Sequence, residues 1–409
     1  MTTDAAANKL DTDAGDLAAH LETQDYVEVY GHHDADGIAA ASIITHALLR
    51  TGTNVRLRIS PRVSPDEVQG TDAVVLCDFG SGLADLSDDV MVIDHHIPQF
   101  EGRYHVNPRL CGIDGERNLS AAGAAYMVAQ HMGDNRDLVG LAMLGMIGDG
   151  QAIEGKNLEL VDEGIAQNYI VPGRGIPLFG RDVHEKVYCA AAPYIHGFSG
   201  NEDAVTALVE ETTVRGETDY DLLLSRLVLA MGPVQNDTAM TGIWGDTWDL
   251  QRGMIRDAHS LAAVINACGK TGHGGLGASL CLRSTASVDE AWEIAREYRL
   301  RVIEAVKTAT TATGPVYVVD DPDVVSGAAD VLAGDLLNAA PLAVMAPRGE
   351  NWSVSARSAG KTGCNLAELM ATLAAECGGV GGGHATRGGA KIPAETIEAF
   401  KNGFMEVCA

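Results

Sequence analysis

Four short clusters of aspartate and histidine are the residues of this chain best suited to chemistry. Their members are His32, Asp34, Asp36, Asp78, Asp94, His95, His96 and Asp149. Carboxylates combined with a few imidazoles and no cysteine suit Mn²⁺ or Mg²⁺ better than structural zinc. A carboxylate within reach of two such ions could bridge them, and a pair of ions can activate a water and stabilise a phosphoryl displacement. Any one of these residues alone is better explained as a helix cap or a surface histidine, so only the whole set favours a metal site.

Each cluster directly follows an apolar segment, and these segments predict the elements that position it. The segments are residues 26–30, 73–77 and 90–93, which have the pattern of strands, and 138–147, which has the pattern of a buried helix. Near-continuous apolar strands that alternate with helices indicate a parallel sheet covered on both faces. Such sheets place their ligands beyond the carboxyl ends of the strands, so we expect the four clusters to share one sheet edge.

The rest of the chain divides by pattern into four regions. We predict an acidic N-terminal leader, either a frayed helix or mobile, over residues 1–21, an α/β domain over 22–190, a helical connecting region over 191–310, and a smaller α/β domain over 311–409. The strand pattern begins afresh at Pro315, which marks the start of the last domain.

A glycine-rich segment, Gly381 to Arg387, is expected to form a loop and could bind a ligand of its own. Successive glycines allow backbone N–H groups to surround an anion, and His384 and Arg387 add donors that complement a phosphate. Residues 341–391 also carry five basic side chains against three acidic ones. The alternative is a tight helix terminator flanked by solvated side chains.

The chain is strongly acidic, with a formal net charge of −27 from 56 acidic and 29 basic residues. Because the acids are spread through the chain, adaptation to a salt-rich cytoplasm is favoured over an acidic partner-binding surface. At molar salt the screening length is about 3 Å, so the charge does not exclude a nucleic-acid substrate.

The eight cysteines include no C-x-x-C pair and fall mostly in apolar segments, as expected of reduced core residues. The chain shows no secretion signal and no apolar run of about 18 residues. We therefore expect a cytoplasmic protein with no membrane partner.

These clusters resemble the motifs of a known family. The segments His32–Gly37, Asp78, Asp94–His96 and Gly148–Gly150 are similar to the four motifs of the DHH phosphoesterases, and Gly381–His384 resembles the end of their DHHA1 domain. Archaeal RecJ-like exonucleases show the greatest resemblance, which extends over residues 25–395. It implies an N-terminal parallel-sheet DHH domain, a helical connector and a C-terminal α/β DHHA1 domain, with the active site in the cleft between the lobes. A haloarchaeal source would fit the acidic composition.

The resemblance also implies roles for single residues. His32, Asp34 and Asp78 would hold one metal ion, while Asp36, Asp78, His95 and Asp149 would hold a second. Asp78 would bridge the two ions, which are expected to be Mn²⁺, with Mg²⁺ as an alternative. Asp94 would orient His95, and His96 would lie near the substrate phosphate. Gly382, Gly383, His384 and Arg387 would bind a phosphate of the substrate.

The function that follows is a two-metal exonuclease that removes nucleotides from an end of single-stranded DNA or RNA, in DNA repair or replication. The second hypothesis is a small-substrate phosphoesterase acting on dinucleotides or short oligoribonucleotides, phosphoadenosine phosphate or pyrophosphate. The third is a replisome scaffold that binds GINS proteins. Retention of the whole ligand set argues against a purely structural role.

The charge generates a prediction about salt. We expect the unfolding midpoint and the activity to fall together when the salt concentration is lowered from molar to about 0.1 M, because the self-repulsion of the acidic surface is then poorly screened. Thermal unfolding across a KCl series measures this. A protein equally stable at both ends of the series would instead favour the acidic partner-binding surface.

Overall fold

The structure is a computed structural model that describes residues 3–68, 73–83, 85–87, 89–232, 235–310, 314–336, 341–358, 364–383 and 385–408. Its first part contains α1 (Thr3–Leu21), β1 (Tyr26–His32), α2 (Ala35–Thr51), β2 (Asn54–Ser60), α3 (Pro65–Val68), β3 (Val74–Cys77), β4 (Met91–Ile93), β5 (His105–Val106), α4 (Ala121–His131), α5 (Val139–Gly148), α6 (Gly155–Ala166) and β6 (Ile170–Gly175). A short 3-10 helix, Arg136–Leu138, leads directly into α5.

The middle of the chain is mainly helical. It contains α7 (Val183–Tyr188), α8 (Glu202–Thr212), β7 (Thr213–Val214), β8 (Glu217–Thr218), α9 (Tyr220–Met231), α10 (Asp237–Thr241), β9 (Gly245–Leu250), α11 (Ala258–Lys270), α12 (Gly274–Cys281) and α13 (Val288–Ala309). The last part contains β10 (Val316–Val318), α14 (Val325–Val331), a π-helical turn (Leu332–Leu336), β11 (Leu342–Arg348), β12 (Asn351–Arg357), α15 (Leu366–Glu376), β13 (Val380–Gly383), β14 (Arg387–Pro393) and α16 (Ile397–Cys408).

These elements form two compact units, each built from two separate chain segments. Met1–Gly173 and Thr247–Ala295 make up the first unit, and Arg174–Asp246 and Arg296–Ala409 make up the second. Part of the predicted connecting region therefore packs within the first unit. None of the described helices combines the length and the apolar character that a membrane crossing requires.

The first unit contains a five-stranded sheet of order β2-β1-β3-β4-β5, in which every pairing is parallel. Strands β3 and β4 are buried along their whole length, as expected for the interior of a sheet covered on both faces. Parallel pairing brings the carboxyl ends of β1, β3 and β4 to the same edge. The predicted α/β class and the predicted parallel sheet are thus confirmed.

Helices pack on the first unit's sheet and on one another. Helix α2 is buried from Ala35 to Leu48 except at His46, and it packs against α4, α5, α11 and α12. Helix α1, where the sequence left open a frayed helix or a mobile leader, packs against α4 with Leu10, Leu17 and Leu21 fully buried.

The second unit contains a mixed sheet of order β10-β11-β12-β14-β13, in which only β10 and β11 pair in parallel. Helix α15 packs on β13 and β14, and Met370, Ile392 and Phe400 are fully buried in the core beneath them. The glycine-rich segment, which we expected to be a loop, instead begins as strand β13. Gly381 to Gly383 pair there with Ala390 to Gly388 of β14.

An ion-pair network holds the late helices of the first unit to its early ones. Asp137 accepts hydrogen bonds from Arg50 at 2.8 and 2.9 Å and from Arg283 at 2.6 Å. Arg50 lies in the last turn of α2 and Arg283 follows α12, so the network joins elements far apart in sequence. Although partial burial opposes ionisation, the two guanidinium groups lower the pKa of Asp137 from 3.8 to about 2.

We expect Asp137→Asn to lower the free energy of unfolding at pH 7 by on the order of 1–2 kcal/mol. Because the folded pKa lies below the unfolded one, this contribution is present above about pH 4 and is lost as the pH falls towards about 2. Urea unfolding at a series of pH values measures the difference. Asp134→Asn, which alters an exposed acid that pairs with nearby Arg136, is the control. A difference that does not change with pH would contradict the network's role.

Candidate metal centre

The turn from β1 into α2 supplies the first group of side chains. His32 ends β1, and its Nδ1 lies 2.7 Å from Asp34 Oδ2. Asp34 is the N-cap of α2, where its Oδ1 accepts a hydrogen bond from the Gly37 backbone N–H. A Cβ at Gly37 would lie 2.6 Å from both Cβ and O of His32, so only glycine allows this close turn. His33 lies outside the group, with its Nε2 3.3 Å from Lys270 Nζ.

Asp78 follows β3 and occupies the centre of the cluster. The residue is 2% exposed, with Oδ2 lying 3.1 Å from His32 Nδ1 and Oδ1 lying 3.3 Å from His95 Nε2. It has a φ of 67°, a left-handed conformation that aspartate tolerates better than most residues. Its backbone N–H donates to Ile93 O at 2.8 Å, which ties the turn to β4.

The segment after β4 supplies Asp94, His95 and His96. Asp94 Oδ1 accepts hydrogen bonds from the backbone N–H groups of both histidines and from His96 Nδ1, the last at 2.6 Å. Asp94 Oδ2 accepts from the Ser81 backbone N–H at 3.0 Å. The expectation that Asp94 orients the His95 ring is wrong, because Asp94 binds the ring of His96. The His95 ring instead has its Nδ1 2.6 Å from the Gly115 carbonyl oxygen.

The N-terminus of α4 binds the carboxylate of Asp36. Its two carboxylate oxygens accept hydrogen bonds from Ala121 N and Ala122 N at 2.7 and 2.8 Å. A helix N-terminus stabilises a negative charge, which offsets part of the cost of the complete burial of this side chain. Asp36 Oδ2 remains 3.9 Å from His95 Nε2.

Asp149 completes the cluster from the end of α5. It is the residue that follows the last helical position, and its Oδ2 lies 3.3 Å from His95 Nε2. Helix α5 passes very close to Asp36. A Cβ at Gly145 would lie 2.0 Å from Asp36 Oδ1 and 2.8 Å from Ser120 Oγ, so a glycine here makes room for the carboxylate.

Crowding of buried acids shifts their pKa values upward. Burial, together with the charge of Asp78, raises the pKa of Asp36 from 3.8 to about 7. Burial and the charge of Asp36 likewise raise the pKa of Asp149 to about 7. Burial and the nearby Asp34 raise the pKa of Asp78. A nearby cation would reverse these shifts by favouring the ionised forms.

The histidines beside these acids also have raised pKa values. Burial disfavours the charged imidazole of His32, yet Asp34 and Asp78 raise its pKa to about 10. The same pairing outweighs burial at Asp34 and holds the pKa of that carboxyl well below its usual value. At His96 the charge of Asp94 outweighs burial and raises the pKa.

Three overlapping groups within the described part of the chain have the spacing to hold a metal ion. They are His32 with Asp34 and Asp78, Asp36 with His95 and Asp149, and Asp78 with His95 and His96. Asp78 Oδ1 and Asp149 Oδ2 are buried and accept no hydrogen bond from the described residues. A buried carboxylate oxygen without a donor is costly, and a hard divalent cation is the partner that this donor set suits.

The residues expected to bind substrate phosphate lie in the second unit. Gly382 and Gly383 are in β13, and Arg387 begins β14 with its guanidinium half exposed and 3.9 Å from Asp330. His384 lies outside the described residues. These phosphate-binding roles stay predictions.

Sequence reasoning missed several residues that support the cluster. Gly145 carries no motif, and the roles of Gly115, Gln151 and Lys270 depend on contacts between distant segments. The pattern Gly148-Asp149-Gly150 provided a partial signal for Gln151, the residue that follows it.

Replacing Gly145 tests the link between helix packing and the cluster. We expect Gly145→Ala to displace the Asp36 carboxylate, to weaken Mn²⁺ binding about tenfold and to cost about 1–3 kcal/mol of stability. Isothermal titration with Mn²⁺ and urea unfolding measure the two effects. The control is Gly140→Ala in the same helix, where the nearest atom would lie at an ordinary 3.5 Å. Unchanged Mn²⁺ affinity in Gly145→Ala would contradict this account of Asp36.

Comparison with known proteins agrees with this geometry. Residues 26–146 match the family model of the DHH family, N-terminal domain, and residues 313–409 match that of the DHHA1 domain. Over 406 residues the chain is 25% identical to an uncharacterized protein of Methanocaldococcus jannaschii, a match that covers 92% of this chain and 91% of the relative.

Solved structures share the fold at low sequence identity. RecJ from Thermus thermophilus in complex with Mn²⁺ superposes with a TM-score of 0.61 and 19% identity, over 98% of this chain and 54% of that one. The chain therefore spans about half the length of that RecJ. CDC45 from Entamoeba histolytica gives a TM-score of 0.65 at 11% identity, over 97% of this chain and 98% of that one.

The residues of the metal-ligand groups lie in the segment that matches the DHH model, except Asp149, which follows it directly. The mixed sheet of the second unit lies in the segment that matches the DHHA1 model. The chain belongs to the DHH family of metal-dependent phosphoesterases and carries a C-terminal DHHA1 domain.

Proposed function

We propose that this phosphoesterase is a two-metal exonuclease that hydrolyses single-stranded DNA or RNA from an end. The observation that carries the proposal is the position of Asp78, whose two carboxylate oxygens face different ligand groups. Oδ2 faces His32 and Oδ1 faces His95, at 3.1 and 3.3 Å. A carboxylate placed in this way can belong to two metal sites at once.

Different residues of the chain would hold the two ions of such a centre. His32 and Asp34 would hold one Mn²⁺ or Mg²⁺ ion with Asp78, while Asp36, His95 and Asp149 would complete the second site. When bound, the two ions would supply an activated water and neutralise charge on the phosphate.

His96 is the side chain of the cluster that we assign to the substrate rather than to a metal. Its Nδ1 is bound by Asp94 at 2.6 Å, so the ring is fixed with Nε2 directed away from Asp94. The pairing with Asp94 raises the pKa of His96 despite burial and favours an imidazolium that can donate to a phosphate oxygen. In this proposal His96 is a catalytic residue, and Asp94 is a positioning residue that acts through it.

The second unit would supply contacts to the strand. Gly382 and Gly383 lie in the edge strand β13, where successive N–H groups point to opposite sides, so one of the two N–H groups would be directed away from β14. Arg387 offers a half-exposed guanidinium. With His384 these groups would bind a phosphate of the substrate. An enzyme with this activity could also bind a partner such as a GINS protein.

Substitution of Asp78 tests the metal centre. We expect Asp78→Ala to lower Mn²⁺-dependent hydrolysis by at least about a hundredfold, because both ligand groups lose a shared carboxylate. Hydrolysis of end-labelled single strands measures the loss, with Asp134→Ala as a control at an exposed acid. Normal activity together with normal metal content in Asp78→Ala would refute the assignment.

Substrate class is tested on the unaltered protein in the same assay. Single-stranded DNA and RNA labelled at either end, a dinucleotide, phosphoadenosine phosphate and pyrophosphate are compared in Mn²⁺ and in Mg²⁺ at high salt. We expect the long strands to be shortened progressively and faster than the small substrates are hydrolysed. Faster hydrolysis of a small substrate would assign the protein to the second class. No hydrolysis at all, combined with recovery of GINS proteins from cell extract, would favour the scaffold.

A further inference from the structure

The two ring nitrogens of His95 face different surroundings. Nε2 points into the cluster, 3.3 Å from both Asp78 Oδ1 and Asp149 Oδ2. Nδ1 points away from it and lies 2.6 Å from the carbonyl oxygen of Gly115. A carbonyl only accepts hydrogen bonds, so this contact requires a proton on Nδ1. The Nε2 lone pair of the neutral ring is then directed at the place where a metal would bind.

The Gly115 carbonyl is itself held by a side-chain amide. Gln151 Nε2 donates to Gly115 O at 3.0 Å, and Gln151 Oε1 accepts from Asn157 Nδ2 at 2.9 Å. Asn157 is fully buried, and its Nδ2 also lies 3.1 Å from Ala152 O. Because Asn157 can only donate through Nδ2, the Gln151 amide is fixed with its NH₂ group towards Gly115.

Gly115 has no side chain through which the protein could otherwise fix it. A Cβ there would lie 2.4 Å from the His95 carbonyl oxygen, so the loop is seated directly on the His95 backbone. The Arg109 Nε group donates to that same carbonyl at 2.8 Å. The hydrogen bond from Gln151 thus restrains the Gly115 carbonyl in addition to the packing of the loop on the His95 backbone.

We propose that Gln151, supported by Asn157, is a positioning residue that fixes the Gly115 carbonyl and thereby the tautomer and orientation of His95 at the metal centre. The inference rests on the proposed metal centre but not on the identity of the substrate. Gln151 Nε2 also lies 3.4 Å from His95 Nδ1. Because that nitrogen carries the proton directed at Gly115 and cannot accept a hydrogen bond, Gln151 acts on the ring through the Gly115 carbonyl and contacts no reacting atom. Groups that orient a metal-bound imidazole commonly contribute about 10–100-fold to metal affinity.

The test replaces the Gln151 amide with a side chain of similar length. We expect Gln151→Met to weaken Mn²⁺ binding about tenfold, measured from the electron paramagnetic resonance signal of free Mn²⁺. The control is Gln130→Met, which removes an amide of the same unit that contacts Glu163 instead. Gln151→Glu is a second variant, since it keeps an acceptor for Asn157 but has no amide donor for Gly115.

A spectroscopic measurement separates positioning from a general structural role. In ¹H–¹⁵N spectra of the Mg²⁺-saturated protein, we expect a downfield Nδ1 proton for His95, assigned by its absence in His95→Gln. This signal should shift and exchange faster with solvent in both Gln151 variants and stay unchanged in Gln130→Met. Lower stability with an unchanged His95 signal and unchanged Mn²⁺ affinity would overturn the inference. If one variant does not fold, the other decides.

The outcome is distinguishable from failure of the proposed exonuclease. Mn²⁺ affinity and the His95 signal are measured without any substrate. If the unaltered protein binds Mn²⁺ but hydrolyses no strand, the exonuclease proposal fails, and weaker Mn²⁺ binding in the variants still supports the role of Gln151. If the unaltered protein degrades strands and both variants bind Mn²⁺ equally well, only the role of Gln151 is refuted.

Discussion

Mutual repulsion among closely packed carboxylates, two of them buried, is the constraint on which the rest of this structure depends. Asp34 and Asp36 come from the turn into α2, Asp78 from the end of β3 and Asp149 from the end of α5, so the packing of these elements brings the four carboxylates together. Burial and repulsion raise the pKa of Asp36, Asp78 and Asp149, and the values for Asp36 and Asp149, about 7, would leave these two partly protonated near neutral pH in the absence of cations. A site of this kind costs folding energy unless positive charge is brought to it.

Donor groups of the protein itself offset part of the repulsion between the carboxylates. Backbone N–H groups at the start of α4 face Asp36, and the imidazoles of His32 and His95 lie between pairs of carboxylates. The remaining deficit falls on Asp78 Oδ1 and Asp149 Oδ2, buried oxygens that accept no hydrogen bond from the described residues. These are the atoms from which a divalent cation would gain most. The two oxygens that receive no hydrogen bond from the described residues are therefore where we expect the ions to bind.

Much of this arrangement is predictable from sequence, for reasons that are local. Buried parallel strands have near-continuous apolar sequences, and the residue at which each strand ends is visible as the first polar one, as at Asp78 and Asp94. Contacts between distant segments are not visible in this way. The partner of the His95 ring is a glycine carbonyl, which carries no side-chain signal, and β13 is a strand of mostly glycine, which has low strand propensity.

Local sequence patterns also do not show which of the two units the middle of the chain joins. Residues 247–295 have ordinary amphipathic helix patterns, which show that a helix has a buried face but not what covers it. In the structure, α11 and α12 cover α2, and a side chain at Gly269 would collide with the His33 carbonyl. Only the three-dimensional packing assigns these helices to the first unit.

The first unit is built from two separate chain segments, and this affects how the protein folds during synthesis. The sheet strands and α2 leave the ribosome early, but the helices that cover α2 lie roughly 200 residues later in the chain. Until they emerge, the face of α2 that α11 and α12 cover stays exposed, although α4 and α5 already pack on the same helix. At the usual rate of about 5–20 residues per second, that interval lasts on the order of ten seconds or more. The nascent chain therefore passes through a stage in which a chaperone can engage it before the metal centre is closed.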